Sequence, residues 1–189
     1  MFTDAGAFRE GHFVLASGKH SPRYLEKFQV LQWPARTAAL CADIAEWATS
    51  LSPRTVAGPT TGGIILAHEV ARQMDLRAVY AERSENGRGR EFRRGFELGS
   101  GERVLVVDDI MTTGGSVQET IDAVLGTGAE VVGAAVLVDR SGGAARLDVP
   151  LHSLWRVDIP TYAPDDCPQC SNGVPVTKPG TTPAQVVRQ

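Results

Sequence analysis

Runs of apolar residues that alternate with glycine-rich turns and amphipathic stretches are the main pattern of this chain. The four apolar residues 104–107 form an uninterrupted run, which is typical of a strand buried on both faces of a parallel sheet. After a glycine-rich segment, the spacing of a helix places four residues on one face: Thr120, Ile121, Val124 and Leu125. Ser116 and Glu119 have the spacing of a capping box. The sequence here therefore predicts a strand, a loop, and a helix whose capping box lies beside the loop.

The same succession of strand and helix extends along most of the chain. A helix is predicted from Pro34, and a second helix passes through Ile64, Leu66, Val70 and Met74. Strands are predicted at residues 56–57, 77–81, 131–138 and 151–159, with a loop at 83–91 and an extended arm at 92–98. Strands that alternate with helices indicate an α/β fold with a parallel sheet and right-handed crossovers.

The length of the chain favours one domain over residues 1–189. Within this domain, residues 1–33 and about 160–178 are predicted to build a small cap over the cleft at the carboxyl ends of the strands. Residues 179–189, which are rich in Thr, Pro and Gln, are predicted to be a mobile tail.

Composition narrows the classes of function and location. No apolar run is long enough to span a bilayer, and the N-terminus lacks the pattern of a signal peptide, so a cytoplasmic protein is expected. The net charge of −3 gives no general attraction to nucleic acid or to an anionic membrane. The three cysteines are too few for a disulfide framework and fit a reducing compartment.

The segment after the apolar run carries the strongest chemical signal. Asp108 and Asp109 suit the neutral hydroxyls of a ribose diol or the hydration shell of a metal ion, because a phosphate would be repelled by their charge. They are followed by Ile110, Met111, Thr112, Thr113, Gly114, Gly115 and Ser116. Glycine N–H groups and threonine and serine hydroxyls beside a helix N-terminus can surround a phosphate. The pattern predicts a ribose 5-phosphate site, and the lack of a closing Gly-Lys-Ser/Thr argues against a Walker nucleotide site.

Two further segments could complete this site. Residues 58–63, Gly-Pro-Thr-Thr-Gly-Gly, join a strand to a helix and are either a second phosphate loop with Thr60 and Thr61 or a simple turn. Residues 83–94 contain five arginines, which suit a departing diphosphate but also fit a solvated charged hairpin: Arg83, Arg88, Arg90, Arg93 and Arg94.

Residues 104–116 closely resemble the phosphoribosyl diphosphate (PRPP) signature of type I phosphoribosyltransferases. Residues 17–24, Ser-Gly-Lys-His-Ser-Pro-Arg-Tyr, resemble the N-terminal motif of the orotate phosphoribosyltransferases in that family. The resemblance implies that PRPP is bound by residues 108–116 with Thr60, Thr61 and Arg83. It implies contacts to orotate from Thr112, Tyr24 and Leu25, and a pairing of Arg140 with the orotate carboxylate. Many relatives carry lysine where Gly62 stands.

The activity that this resemblance implies is transfer of ribose 5-phosphate from PRPP to orotate, giving orotidine 5′-monophosphate for pyrimidine synthesis. The resemblance implies three catalytic residues: Asp108, Asp109 and Arg83. The chain lacks a loop residue of the family, and Arg88 is our candidate for its replacement. Mg²⁺ would bridge substrate oxygens, and the arginine loop would reach the site of a neighbouring subunit in a homodimer. Transfer to another base (purine or uracil) and a non-enzymatic PRPP-sensing regulator are the alternatives.

Cys167 and Cys170 have the spacing of half a zinc knuckle. A complete site would need His152, another residue or a second subunit, and a redox dithiol is a further alternative. A structural cysteine pair in the cap is the favoured interpretation. The four histidines show no metal-ligand spacing and none is predicted to be catalytic: His12, His20, His68 and His152.

Overall fold

Ten strands and five helices succeed one another in the computed structural model, which describes residues 2–15, 17–179 and the backbone of 185–186. The strands are β1 Phe8–Val14, β2 His20–Leu25, β3 Thr55–Pro59, β4 Arg77–Arg83, β5 Arg90–Phe92, β6 Arg103–Met111, β7 Glu130–Asp139, β8 Leu151–Arg156, β9 Thr177–Lys178 and β10 Gln185–Val186. The helices are α1 Phe28–Leu31, α2 Pro34–Thr49, α3 Gly62–Met74, α4 Gly115–Leu125 and α5 Pro168–Ser171.

The chain forms two compact units, of which Leu31–Val157 is the larger. Its six strands form one sheet in the order β5-β4-β3-β6-β7-β8, and all neighbours are parallel except β5, which pairs antiparallel with β4. This confirms the predicted α/β class with a parallel central sheet. No helix among the described residues is long and apolar enough to cross a membrane.

The central strand β6 extends farther than its apolar run. Residues 104–107 are fully buried, as the pattern predicted. The strand then continues through both aspartates because its ladder with β7 persists, pairing Asp108 with Val136 and Met111 with Asp139. The strand therefore includes the acidic pair and two residues beyond it, and the loop begins only at Thr112.

Helix α4 packs its apolar side on this strand. Val117, Ile121 and Val124 belong to the same buried cluster as Val104 and Val106 of β6. Leu125, which was predicted on the apolar face, is 52% exposed.

The predicted capping box at the start of α4 was also wrong. The helix begins at Gly115, its N-cap is Gly114 at φ 85°, and no side chain caps it. Ser116 and Glu119 both lie inside the helix, where they contact Arg90 instead. The contact with Arg90 therefore engages the two side chains that a capping box would use.

The smaller unit is built from both ends of the chain, up to Val30 and from Asp158 onward. Strands β1 and β2 form an antiparallel hairpin in a sheet of order β10-β9-β1-β2. Within this unit His12, His20, Cys167 and Cys170 lie together, which the histidine spacing had not predicted. The cap over the cleft stays a prediction, and of the predicted mobile tail, residues 180–184 and 187–189 lie outside the described residues.

Candidate active site

The acidic pair lies buried at the carboxyl end of β6. Asp108 is 6% exposed and Asp109 is 3% exposed. One oxygen of each carboxylate accepts the N–H of the following residue, from Asp109 at 2.8 Å and from Ile110 at 2.6 Å. These bonds to the backbone orient both side chains, so that the pair is a pre-arranged set of oxygen acceptors.

The loop after β6 presents donors at the start of α4. Thr112, Thr113 and Gly115 are exposed, whereas Gly114 is buried and adopts positive φ. The Thr113 hydroxyl accepts the Gly115 N–H at 3.4 Å. Exposed hydroxyls and the first N–H groups of an 11-residue helix can hold an anion.

The second glycine-rich loop lies at the same edge of the sheet, because β3 is the parallel neighbour of β6. Gly58 and Gly63 approach so closely that a Cβ on Gly58 would lie 2.2 Å from the Gly63 carbonyl oxygen. The Thr60–Thr61 peptide bond is cis. Thr60 donates its N–H to Ala81 at 3.1 Å, and Thr61 is exposed beside α3. The structure thus brings together the two loops that the sequence singled out.

Arg90 connects these two loops, a role that was not predicted from the sequence. Its guanidinium donates to the Thr60 hydroxyl at 3.2 Å and to the Ser116 hydroxyl at 3.0 Å, and its Nε lies 3.4 Å from a Glu119 carboxylate oxygen. The side chain is only 4% exposed. The apolar residue Phe92 was a usable signal for this position. Residues two apart in a strand share a face, and Phe92 packs on the core, so Arg90 lies on the inward face of the strand as well.

The charge of Arg90 is held in a partly desolvated place. Burial lowers the pKa of its guanidinium, and the neighbouring Glu119 opposes that shift. Arginine nevertheless stays charged at neutral pH. The edge of the sheet therefore has a fixed positive charge between the two loops, beside the negative acidic pair.

The two arginines predicted to be catalytic lie elsewhere on the hairpin. Arg83 is the last residue of β4 and pairs in register with Arg90, and Arg88 lies in the turn at residues 84–89; both are exposed. The charged-hairpin alternative describes part of this segment, since Arg94 pairs with Glu82 at 2.8 Å. The catalytic roles of Arg83 and Arg88 stay predictions.

The residues predicted to contact orotate fall into both units. Thr112 follows β6 and Arg140 follows β7, so both lie at the same edge of the sheet, where Arg140 donates its N–H to the Met111 carbonyl oxygen at 2.8 Å. Tyr24 and Leu25 end β2 in the smaller unit. Their contact with a base stays a prediction.

Comparison with known proteins agrees with this geometry. The sequence pattern of the family described as phosphoribosyl transferase domain matches residues 29–159. The orotate phosphoribosyltransferase of Desulforamulus reducens is 50% identical over 181 residues, covering 96% of this chain and 94% of that protein. The one of Thermotoga maritima is 44% identical over 176 residues, covering 93% of each chain. The crystal structure of orotate phosphoribosyltransferase from Aeropyrum pernix superposes with a TM-score of 0.71 at 29% identity, covering 82% of this chain and 91% of that one. The chain therefore belongs to the phosphoribosyltransferase family and, within it, to the orotate phosphoribosyltransferases.

Proposed function

We propose that this protein transfers ribose 5-phosphate from PRPP to orotate, releasing diphosphate and forming orotidine 5′-monophosphate in pyrimidine synthesis. The observation that supports this most directly is the buried pair Asp108–Asp109 between an exposed Thr-Gly loop and the 58–63 loop. Acceptors for a diol flanked by two groups of anion donors match a sugar that carries phosphate groups at two positions.

The reaction breaks the bond from ribose C1 to diphosphate and forms a bond from C1 to a ring nitrogen of orotate. As the first bond breaks, the diphosphate leaves with the electron pair and positive charge develops on the ribose ring. The carboxylates of Asp108 and Asp109 would bind the ribose hydroxyls and favour that charge. The Thr112–Ser116 segment would hold the 5′-phosphate and so fix C1 beneath the acceptor.

The leaving diphosphate needs donors on the other side of the ribose. In our proposal the main-chain N–H groups of Thr61, Gly62 and Gly63 at the start of α3 and the Thr60 and Thr61 hydroxyls hold it. Arg90 keeps Thr60 and Ser116 at a fixed separation through its two hydrogen bonds. Arg83 is exposed and pairs in register with Arg90, and it would add positive charge for the diphosphate from the solvent side.

Mg²⁺ fits the donor set of this edge. The carboxylate oxygens of Asp108 and Asp109 are hard ligands of the kind that Mg²⁺ prefers, and both are already oriented by backbone N–H groups. They would hold the ion through its water shell. When bound, the ion neutralises negative charge on the diphosphate.

A homodimer with shared sites and a cytoplasmic location are part of the proposal. Arg88 is exposed in the hairpin turn at residues 84–89, and in our proposal it serves the site of a neighbouring subunit. The proposed orotate contacts are Thr112 and Arg140 from the sheet edge, with Tyr24 and Leu25 from β2.

Diphosphate release measured with PRPP and a panel of bases tests the acceptor. We expect release with orotate and little with uracil, adenine or hypoxanthine. Efficient release with another base would replace orotate as the acceptor. PRPP binding without release for any base would favour the non-enzymatic regulator.

A further inference from the structure

Four metal-ligating side chains, none of them assigned to the proposed transfer site, meet in the smaller unit. They are His12 on β1, His20 on β2, and Cys167 and Cys170 at α5. One ligand atom from each lies within 4.8 Å of all the others. The three cysteines of the chain are free thiols, so the pair is not joined by a disulfide.

The separations inside this cluster match a tetrahedral ion. His12 Nε2 lies 3.0 Å from His20 Nδ1, 3.4 Å from Cys167 Sγ and 3.7 Å from Cys170 Sγ, and Cys170 Sγ lies 3.2 Å from His20 Nδ1. A zinc ion with the usual bond lengths places two nitrogens about 3.3 Å apart and a nitrogen and a sulfur about 3.5 Å apart. These four separations therefore lie close to those that a zinc ion requires.

A second contact orients one of the ligands. His12 Nδ1 lies 2.7 Å from the Val174 carbonyl oxygen, which can only accept a hydrogen bond. Nδ1 must therefore carry the hydrogen, and in the neutral ring Nε2 directs its lone pair into the cluster. A backbone carbonyl behind a histidine is the usual support of a zinc ligand.

The location of the cluster explains why the unit would need a metal. His12, His20 and Cys167 are 3%, 8% and 1% exposed, so polar ligand atoms are buried here. Besides Cys167, the buried apolar residues among the described part of this unit are few: Ala7, Phe13, Leu25, Val30 and Ile159. A metal offsets such a small core because its binding free energy becomes folding free energy.

We infer that His12, His20, Cys167 and Cys170 bind one structural Zn²⁺ that ties the two ends of the chain together. Two thiolates and two imidazoles in a tetrahedron select zinc over Mg²⁺, which prefers oxygen ligands, so this site differs from the one proposed for PRPP. All four positions are filled by protein, which leaves none open for substrate.

Metal analysis of the whole protein, purified without chelators from zinc-supplemented cells, tests this inference. We expect about one zinc per chain and an X-ray absorption spectrum with two sulfurs at about 2.3 Å and two nitrogens at about 2.0 Å. Cobalt added to the metal-free protein should give the absorption bands of a tetrahedral thiolate site. Chelation should lower the thermal midpoint of the wild type.

Matched variants separate the site from general effects. The double variant Cys167→Ser/Cys170→Ser and the variant His12→Gln should lose the metal, whereas Cys41→Ala and His68→Gln should keep it. Cys41 is a fair control because burial raises the pKa of its thiol to about 12 and it lies in α2. If the cysteine variants fail to fold, the wild-type zinc content and cobalt spectrum still decide.

Three results would overturn the inference: wild-type protein without zinc or a cobalt spectrum, zinc retained by the double cysteine variant, or a disulfide between Cys167 and Cys170 in freshly purified protein. The last result would support the redox alternative.

Discussion

Gly62 and Asp109 are in direct contact across the edge of the sheet. A Cβ built on Gly62 would lie 1.6 Å from Asp109 Oδ2, which is far closer than two such atoms can approach. The first residue of α3 therefore leaves room for the carboxylate at the end of β6. Any larger residue at position 62 must displace one member of the acidic pair.

The variant Gly62→Ala should therefore lose activity without losing stability. The methyl group displaces the Asp109 carboxylate, while alanine is favoured over glycine in a helix by up to about 1 kcal/mol. We expect kcat/KM for PRPP to fall about tenfold or more. Steady-state kinetics and thermal melts measure both effects.

Gly99→Ala is the matched control, because its nearest neighbouring atom is 3.6 Å from the added Cβ and its φ is ordinary. Unchanged kinetics in Gly62→Ala would mean that the position of the Asp109 carboxylate is not critical.

Arg90 offers a test of the link between the two loops. Arg90→Lys keeps the positive charge but loses the fork that reaches both Thr60 and Ser116. The two loops then lose their fixed separation around PRPP, so KM for PRPP should rise about tenfold or more. KM for orotate should change less.

Arg93→Lys is the control for Arg90, since Arg93 pairs with Glu91 and Glu85 on the same hairpin. A normal KM for PRPP in a folded Arg90→Lys protein would contradict a role in spacing the loops.

The sequence was sufficient for the acidic pair and the two loops. The acidic pair lies between the apolar residues 104–107 and the Thr-Gly segment in one contiguous stretch. Their order along the chain is therefore enough to place them next to one another. Their meeting with the 58–63 loop followed from parallel topology, which puts the carboxyl ends of β3 and β6 at one edge.

The arginine run itself did not distinguish Arg90 from its neighbours, and the only hint was the apolar Phe92 two residues farther along β5. The one that reaches the loops is chosen by the β4–β5 register, which pairs Arg83 with Arg90 and is a tertiary property. The same contact explains the failed capping box, because Ser116 and Glu119 bind Arg90.

The histidine cluster was hidden for a similar reason. His12 and His20 are eight residues apart on two strands, and the hairpin register shifts between Glu10 and Phe13, around His12. Rules for metal-ligand spacing describe one helix or one loop, so they do not detect ligands that meet across a hairpin.

Arg140 tests the assignment of the orotate carboxylate. Arg140→Ala should raise KM for orotate about tenfold or more and KM for PRPP far less, because only the base loses a bidentate partner. The exposed Arg146 nearby in sequence provides the control Arg146→Ala. Equal changes in both KM values would indicate that Arg140 has a structural role.

Mixing two inactive proteins tests whether the sites are shared between subunits. One protein carries Arg83→Ala/Arg88→Ala and the other Asp108→Asn/Asp109→Asn. If the hairpin serves the neighbour's site, half of the randomly exchanged dimers have one intact site, and about a quarter of wild-type activity returns. Proven subunit exchange without recovery would restrict the arginines to their own subunit or remove their role.

Orotate-dependent diphosphate release by Asp108→Asn/Asp109→Asn tests the central claim most directly. Asp122→Asn, an exposed change on α4, serves as control, and circular dichroism with a thermal melt verifies the fold of both variants. We predict that release falls about a hundredfold or more in the double variant, because the ribose hydroxyls and the shell of the metal lose their acceptors, and stays normal in the control. Near-normal release by the folded double variant would contradict the assignment of the acidic pair to the ribose of PRPP.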